Sequence, residues 1–129
     1  MSLLNGMAAR MAAEATLRAA GGGRVTVSAA MTGADSQGAG LGIASAAQQE
    51  WEVEPAIVRW KTANDENRRE LVVSAQTLER TFSAHDSKTL RALLMRSQVK
   101  LGSETLRVTT VSMEICEGSE YLYRLQLER

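Results

Sequence analysis

Cysteine and histidine are scarce in this chain, and this removes several kinds of site from consideration. Cys116 is the only cysteine, so it cannot form an intramolecular disulfide, which suits a reducing compartment. His85 is the only histidine and has no cysteine near it in sequence, so a structural zinc site lacks ligands. His85 adjoins Asp86 as a base would adjoin an orienting carboxylate, but no nucleophile accompanies the pair. We therefore expect a surface or capping role for His85 and an inert, partly buried thiol at Cys116.

An excess of one charge and a long apolar run are also missing. Fifteen Lys and Arg residues balance fifteen Asp and Glu residues, so no general attraction to nucleic acid or anionic lipid is expected. No apolar run approaches the length of a membrane span, and polar residues interrupt the N-terminal segment where a signal peptide is apolar. The 129 residues predict one domain, spanning 1–129, that is soluble, cytoplasmic and without a membrane partner.

The charge is unevenly distributed along the second half of the chain. Residues 71–100 carry five basic and two acidic side chains, whereas residues 101–129 carry three basic and five acidic side chains. Patches of opposite sign would allow copies to meet head to tail in a ring. Chance gives the same distribution on a mixed surface and is the favoured explanation.

Phosphate-binding and metal-binding patterns are not found. The glycine-rich segments 21–23 and 38–42 are not followed by the Lys-Ser/Thr pair of a phosphate-binding loop. Glu50, Glu52 and Glu54 alternate along one face of a predicted strand, but no further ligand accompanies them, so a solvated face is favoured. We expect no catalytic residue, no cofactor and no metal, and hence no enzyme.

A long loop or arm is predicted over residues 28–54, which are rich in Gly, Ala, Ser and Gln. Connections in compact domains have a median length of about 4–6 residues, and disordered linkers are usually more charged than this one. Because small side chains let the backbone approach another surface closely, we predict that the arm packs on a partner. The candidate protein-interaction residues are Met31, Leu41, Ile43, Trp51 and Trp60. For the two tryptophans, core packing is at least as good an explanation.

The first half of the chain alternates between helix and strand patterns. Residues 3–19 predict a helix that carries Met7 and Met11 on one face, and the glycines at 21–23 end it. Strands are predicted over 24–30 and 52–61. Pro55 lacks a backbone N–H, so we expect it at an edge or at a strand start. A turn at 64–67 and the apolar residues 71–73 then predict a β-hairpin.

The second half predicts a short helical insert followed by three strands. Ser74 suits the N-cap of a helix over 75–82, and Asp86 caps a second helix with Leu90, Leu93 and Leu94 as its apolar stripe. Strands follow over 98–101, 105–115 and 121–127. In the second of these, Leu106 and Val108 share one parity while Val111, Met113 and Ile115 share the other, which predicts a bulge near Thr109 and Thr110. In the last strand Tyr121, Tyr123, Leu125 and Leu127 should face inward against Val25, Val108 and the leucine stripe.

These patterns together predict an α+β fold. It comprises a small antiparallel β-barrel or sandwich, an N-terminal helix, a short helical insert and a long extended loop.

Residues 71–129 carry a resemblance to a known family. They contain the helical insert, a strand pair that reads V-x-L-G-x-x-x-L-R-V-x-x-V, and a closing strand that reads Y-x-Y-R-L-x-L. In this order the elements resemble those of the small head–tail joining proteins (neck adaptors, stoppers or tail-attachment proteins) of siphoviruses and prophages. That family offers no catalytic residue to carry over.

The resemblance implies a barrel-like protomer that joins a ring around the DNA channel, with its long loop reaching neighbours or the lumen. The partners implied are further copies of the chain and portal, adaptor or tail-tube proteins, with no sequence-specific nucleic acid. The place implied is the virion, and the cytoplasm of the bacterial host during assembly. An alternative that the residues leave open is a cytoplasmic protein-binding module that recognises its partner through residues 28–54.

Overall fold

The structure is a computed structural model that describes residues 2–30, 48–63, 66–84 and 86–129. These residues form three helices and six strands. In chain order they are α1 (Ser2–Ala19), β1 (Gly23–Ala30), β2 (Gln48–Ala63), β3 (Glu66–Ser74), α2 (Ala75–Phe82), α3 (Ser87–Met95), β4 (Ser97–Leu101), β5 (Glu104–Cys116) and β6 (Ser119–Glu128). The predicted α+β class, with its barrel, N-terminal helix and helical insert, is confirmed.

The six strands close into an antiparallel barrel in the order β1-β2-β3-β6-β5-β4, with β4 pairing back onto β1. Side chains from every strand fill the interior. The fully enclosed ones include Val27, Val53, Leu71, Val99 and Leu125. A small barrel of this kind has room for its own side chains and little else, so its interior is the hydrophobic core.

The bulge predicted in β5 is confirmed. The register between β5 and β6 shifts between Val108 and Thr110, and this places both Val108 and Val111 in the core despite their opposite parity. A second shift, between Glu114 and Ile115, was not predicted. It follows that Ile115 does not share the buried face of Val111; its side chain is 59% exposed.

The inward face of β6 is confirmed for three of its four predicted residues. Tyr123, Leu125 and Leu127 are buried, and Leu125 pairs with Leu71 on one side and Val111 on the other. Tyr121 is the exception. It is only partly buried, and its hydroxyl donates a hydrogen bond to Glu114 Oε2 at 2.9 Å, so its polar tip lies outside the core.

The α2–α3 insert packs against the end of the barrel at which β3 ends and β4 begins. Ser74 caps α2 by accepting a hydrogen bond from the Thr77 N–H at 3.1 Å, and Asp86 caps α3 by accepting one from the Lys88 N–H at 3.3 Å. Both caps were predicted. Leu78 of α2 and Leu90 and Leu94 of α3 are buried in the core, and Leu93 is half-buried.

Helix α1 lies outside the barrel, across β6, β3 and β2. Its N-terminal half passes so close to the barrel that a Cβ at Gly6 would lie 2.9 Å from Ser119 Oγ, so a larger residue there would require Ser119 to shift. Leu17 near its C-terminus is buried. Met7 and Met11 do share a face, as their spacing indicates, but this face points to solvent. No helix among the described residues is both long and apolar enough to cross a membrane.

Two sequence predictions near the arm were wrong. Residues 28–30 belong to β1 and residues 48–54 belong to β2, so the predicted bounds of the arm, 28–54, were too wide. Its remainder, residues 31–47, lies outside the described residues.

Pro55 lies inside β2 rather than at its start, and the barrel is closed, so no edge is available. The register between β1 and β2 shifts beside it, between Gly23/Ala56 and Val25/Val53, and this irregularity accommodates the missing N–H.

Candidate protein-interaction site

The inner face of α1 is held to the protein largely by polar contacts. Arg10 donates to Glu79 Oε2 of α2 at 2.5 Å and to the backbone carbonyl of Glu120 at 3.1 Å. Glu14 Oε1 accepts from Thr77 Oγ1 at 2.9 Å and from the guanidinium of Arg80 at 2.8 Å. Because both Arg10 and Glu14 are mostly shielded from water, these bonds fix the rotation of α1 about its own axis.

The pKa of Glu14 is lowered by this arrangement. The hydrogen bond from Arg80 has the largest effect, desolvation opposes it, and the hydrogen bond from Thr77 and the charges of Arg80 and Arg18 add to the lowering. Glu14 is therefore ionised in the folded protein at neutral pH. One carboxylate faces two guanidinium groups here, since Arg18 lies 3.7 Å from Glu14 Oε1 in addition to Arg80.

The solvent-facing side of α1 carries an apolar pair with basic neighbours. Met7 is 57% exposed and Met11 is 64% exposed. Helix periodicity places Arg18 on the same side of α1, and Arg80 of α2 borders it through the shared contact with Glu14. We call Met7, Met11, Arg18 and Arg80 the methionine flank. Exposed apolar side chains grouped in this way are typical of protein-interaction surfaces.

The opposite side of α1 borders a groove of about 730 Å³. Small side chains of α1 form one wall, and the ends of β5 and β6 form the other. The groove is lined by Ala9, Ala12, Ala13, Thr16, Leu17, Val72, Ile115, Cys116, Glu117, Tyr121 and Leu122. We call this the α1 groove. Among these lining residues Glu117 is the only charged one, and it is exposed.

A second cleft, of about 470 Å³, lies at the end of the barrel where β2 and β6 end and β3 and β5 begin. Trp60 is 64% exposed there, and the guanidinium carbon of Arg69 lies 4.7 Å from the centre of its ring. Arg69 also donates to Glu104 Oε1 at 3.0 Å, and Arg129 lies 3.5 Å from Glu104 Oε2. We call Trp60, Arg69, Glu104 and Arg129 the barrel mouth.

The cations of the barrel mouth are already neutralised in part. The hydrogen bond from Arg69 is the largest of several effects that lower the pKa of Glu104, so this carboxylate stays ionised and offsets one of the two positive charges. The mouth therefore attracts a phosphate group less strongly than two unpaired arginines would. The exposed ring of Trp60 remains the feature of the mouth best suited to contact a partner.

A buried carboxylate on the outer face of the barrel organises a further network. Glu70 is 2% exposed and accepts from Arg59 Nε at 2.7 Å, with Arg124 Nη1 at 3.8 Å on its other side. Arg124 reaches on to Glu114 at 2.6 Å, and this carboxylate accepts from Tyr121. The hydrogen bond to Glu114 is the main cause that raises the pKa of Tyr121. Arg124 on β6 thus links Glu70 on β3 to Glu114 on β5, so the network is best explained as a support for the sheet.

The candidate interaction residues from the sequence are separated by the fold. Trp60 lies exposed at the barrel mouth, whereas Trp51 is half-buried and packs edge-on against Phe82, with ring centroids 4.8 Å apart. Packing therefore accounts for Trp51. The remaining candidates, Met31, Leu41 and Ile43, lie outside the described residues.

The methionine flank and the α1 groove were not recognised from the sequence as interaction surfaces. The spacing of Met7 and Met11 predicts one face of a helix, but that pattern alone does not say whether the face is buried or exposed. A signal was present: Arg10 and Glu14 lie beside the methionine face, on the side of α1 that packs, and charged side chains on a packed side imply partners of opposite charge elsewhere in the fold.

Among the described residues, the side chains capable of binding a metal ion do not form a cluster. Within the described parts of the chain no three His, Cys, Asp or Glu side chains are grouped to hold a metal ion. Cys116 is partly buried in the α1 groove. His85 lies outside the described residues.

Comparison of the chain with family models, with curated proteins and with solved structures found no match.

Proposed function

We propose that this protein is a structural component of a tailed-phage or prophage particle, and that it forms a ring in the head–tail connector around the DNA channel. The proposal is supported chiefly by the order of its elements. An outer N-terminal helix, a closed barrel, a helical insert after β3 and a closing β5–β6 hairpin follow one another as the resemblance implies.

Two further features favour an assembly role. The barrel interior is filled by its own side chains, so the fold offers surfaces rather than an internal ligand cavity. The large apolar side chains that remain exposed, among them Met7, Met11, Trp60 and Ile115, lie on the outside of the barrel, where neighbouring subunits would meet. The partners of the ring would be portal, adaptor or tail-tube proteins.

The direct test is to replace early codons of the gene by stop codons in the phage or prophage that carries it and to supply the protein from a plasmid. Without the plasmid, electron microscopy of the lysate should show filled heads and free tails, and the plasmid should restore joined, infectious particles. Normal numbers of tailed particles without any copy of the protein would refute the proposal.

The contribution of the arm has its own test. Ala30 pairs with Gln48 in the β1–β2 ladder, so an Asn-Gly turn replacing residues 31–47 would connect the strands with the geometry of a two-residue hairpin. We expect this variant to keep its barrel, as measured by circular dichroism and thermal melting, and to fail to join heads to tails. Joining at the wild-type level would show that the arm has no role in it.

We also expect negligible DNA affinity from the isolated protein at physiological salt, because a channel lining must let DNA slide past and the chain carries no net charge. Fluorescence anisotropy with a labelled duplex measures this. Micromolar binding that weakens steeply with added salt would contradict this expectation.

A further inference from the structure

We propose that copies of this protein associate head to tail through α1, with the methionine flank of one copy seated in the α1 groove of the next. The inference deepens the proposed function, on which it rests for its biological setting, by naming the contact between neighbouring subunits. The geometry comes from the described residues alone.

The two surfaces face in different directions. Successive residues of an α-helix are rotated by about 100°, so the midpoint of Met7 and Met11 and the midpoint of Ala12 and Thr16 lie about 140° apart around α1. A neighbour that covers one surface therefore leaves the other open for a further copy. A contact of this kind is heterologous, and it repeats from copy to copy, which gives a ring where the rotation between neighbours closes.

The chemistry of the two surfaces is complementary. Methionine is unbranched and flexible, so Met7 and Met11 can fill an irregular apolar depression. The α1 groove is such a depression: Ala12 and Thr16 leave the helix backbone accessible, and Ile115 on the facing wall is 59% exposed. Burying the exposed methionines and Ile115 together removes apolar surface from water on both copies.

The charges favour this pairing over a symmetric one. Arg18 and Arg80 have side chains that are 56% and 55% exposed, and among the described residues both pair with the single carboxylate of Glu14, so the methionine flank keeps a positive charge. Glu117 gives the α1 groove a negative charge. Two methionine flanks facing each other would bring like charges together, which is unfavourable.

The test uses one variant for each surface and measures molecular mass by sedimentation equilibrium. Protein concentrations extend to about 1 mM, so that association with a dissociation constant as weak as about 1 mM is detected. The flank variant carries Met7→Lys and Met11→Lys. The groove variant carries Ala12→Arg, an exposed helix position where arginine fills the depression and preserves helix propensity. The control is Met95→Lys, which changes an apolar residue of α3 that is 45% exposed and remote from both surfaces.

Wild type and control should associate with equal affinity. Each of the other two variants should raise the dissociation constant by at least about tenfold, as expected when central apolar contacts are lost. An equal mixture of the two should form dimers that grow no further, because one intact flank then meets one intact groove. Circular dichroism and thermal melting check that every variant is folded.

Several outcomes would overturn the proposal. A wild-type protein that remains monomeric up to about 1 mM has no such contact. A groove variant that associates like wild type would instead support a symmetric contact between methionine flanks. A mixture that contains no dimers would show that the two surfaces do not meet each other.

Cys116 allows an independent test of the same contact, because it is the only cysteine in the sequence and lines the α1 groove. Its rate of reaction with a maleimide should fall as wild-type protein is concentrated and should stay constant in the flank variant. A rate that does not change while the wild-type protein associates would place the contact elsewhere. None of these measurements involves a phage, so a failed contact and a failed neck function are distinguishable.

Discussion

Replacing Leu125 by alanine is the sharpest test of the barrel described above. Leu125 is fully buried in β6 and lies between Leu71 of β3 and Val111 of β5. The change removes three carbon atoms, which at about 0.8 kcal/mol per buried methylene amounts to roughly 2.4 kcal/mol. The remaining cavity adds to this, since side chains held in two neighbouring strands collapse only in part. We therefore expect a total loss of about 3–4 kcal/mol in the free energy of unfolding.

Chemical denaturation in urea, followed by circular dichroism, measures this loss as a shift in midpoint at constant slope. Ile115→Ala is the matched control, because it also shortens an apolar side chain of the β5–β6 hairpin but at a position that is 59% exposed. The control should cost about 0.5 kcal/mol or less, as surface changes usually do. If Leu125→Ala cost no more than its control, the inward face of β6 would have to be reassigned.

Three further changes test the polar and aromatic contacts. Glu14→Gln should destabilise the fold by about 1 kcal/mol at pH 7. Because the folded-state pKa of Glu14 is lowered, its carboxylate stabilises the fold above the ordinary pKa, and this stabilisation is lost as the pH falls through the lowered value. A difference in urea midpoint between variant and wild type that persists undiminished at pH 2 would contradict this explanation. Trp60→Phe should remove most of the tryptophan fluorescence that acrylamide quenches and leave a blue-shifted signal from half-buried Trp51, whereas unchanged quenching would place Trp60 inside. Arg59→Met should cost about 1–3 kcal/mol, because it removes the hydrogen bond from Arg59 to buried Glu70 and leaves that carboxylate with less positive charge around it. The added change Glu70→Leu should recover most of that stability, and no recovery in thermal melting would argue that the loss has another cause.

Local signals in the sequence predicted most of the barrel. The parity change between Val108 and Val111 has one simple structural solution, a bulge, and the caps at Ser74 and Asp86 act on backbone groups two or three residues away. Such features are encoded within a few residues of the chain. The additional shift at Ile115 had no comparable signal, since its parity agreed with that of Val111.

The interaction surfaces were harder to predict because they depend on distant residues. The packed side of α1 is set by hydrogen bonds from Arg10 to Glu79 and from Thr77 to Glu14, which join residues 69 and 63 positions apart. No periodicity within α1 reports these partners. The same limit applies to residues 48–54, whose strand pairing depends on β1 across the arm.

The tight β4–β5 turn at Gly102 and Ser103 offers a practical consequence of the barrel topology. Both residues are exposed, and antiparallel pairing puts them at the opposite end from the α2–α3 insert. A peptide tag inserted between them, with the positive φ of Gly102 preserved, would extend into solvent without touching α1. Under the proposed neck function, gold-labelled antibody bound to that tag would report, in electron micrographs of whole particles, which end of the subunit faces the capsid and which faces the tail.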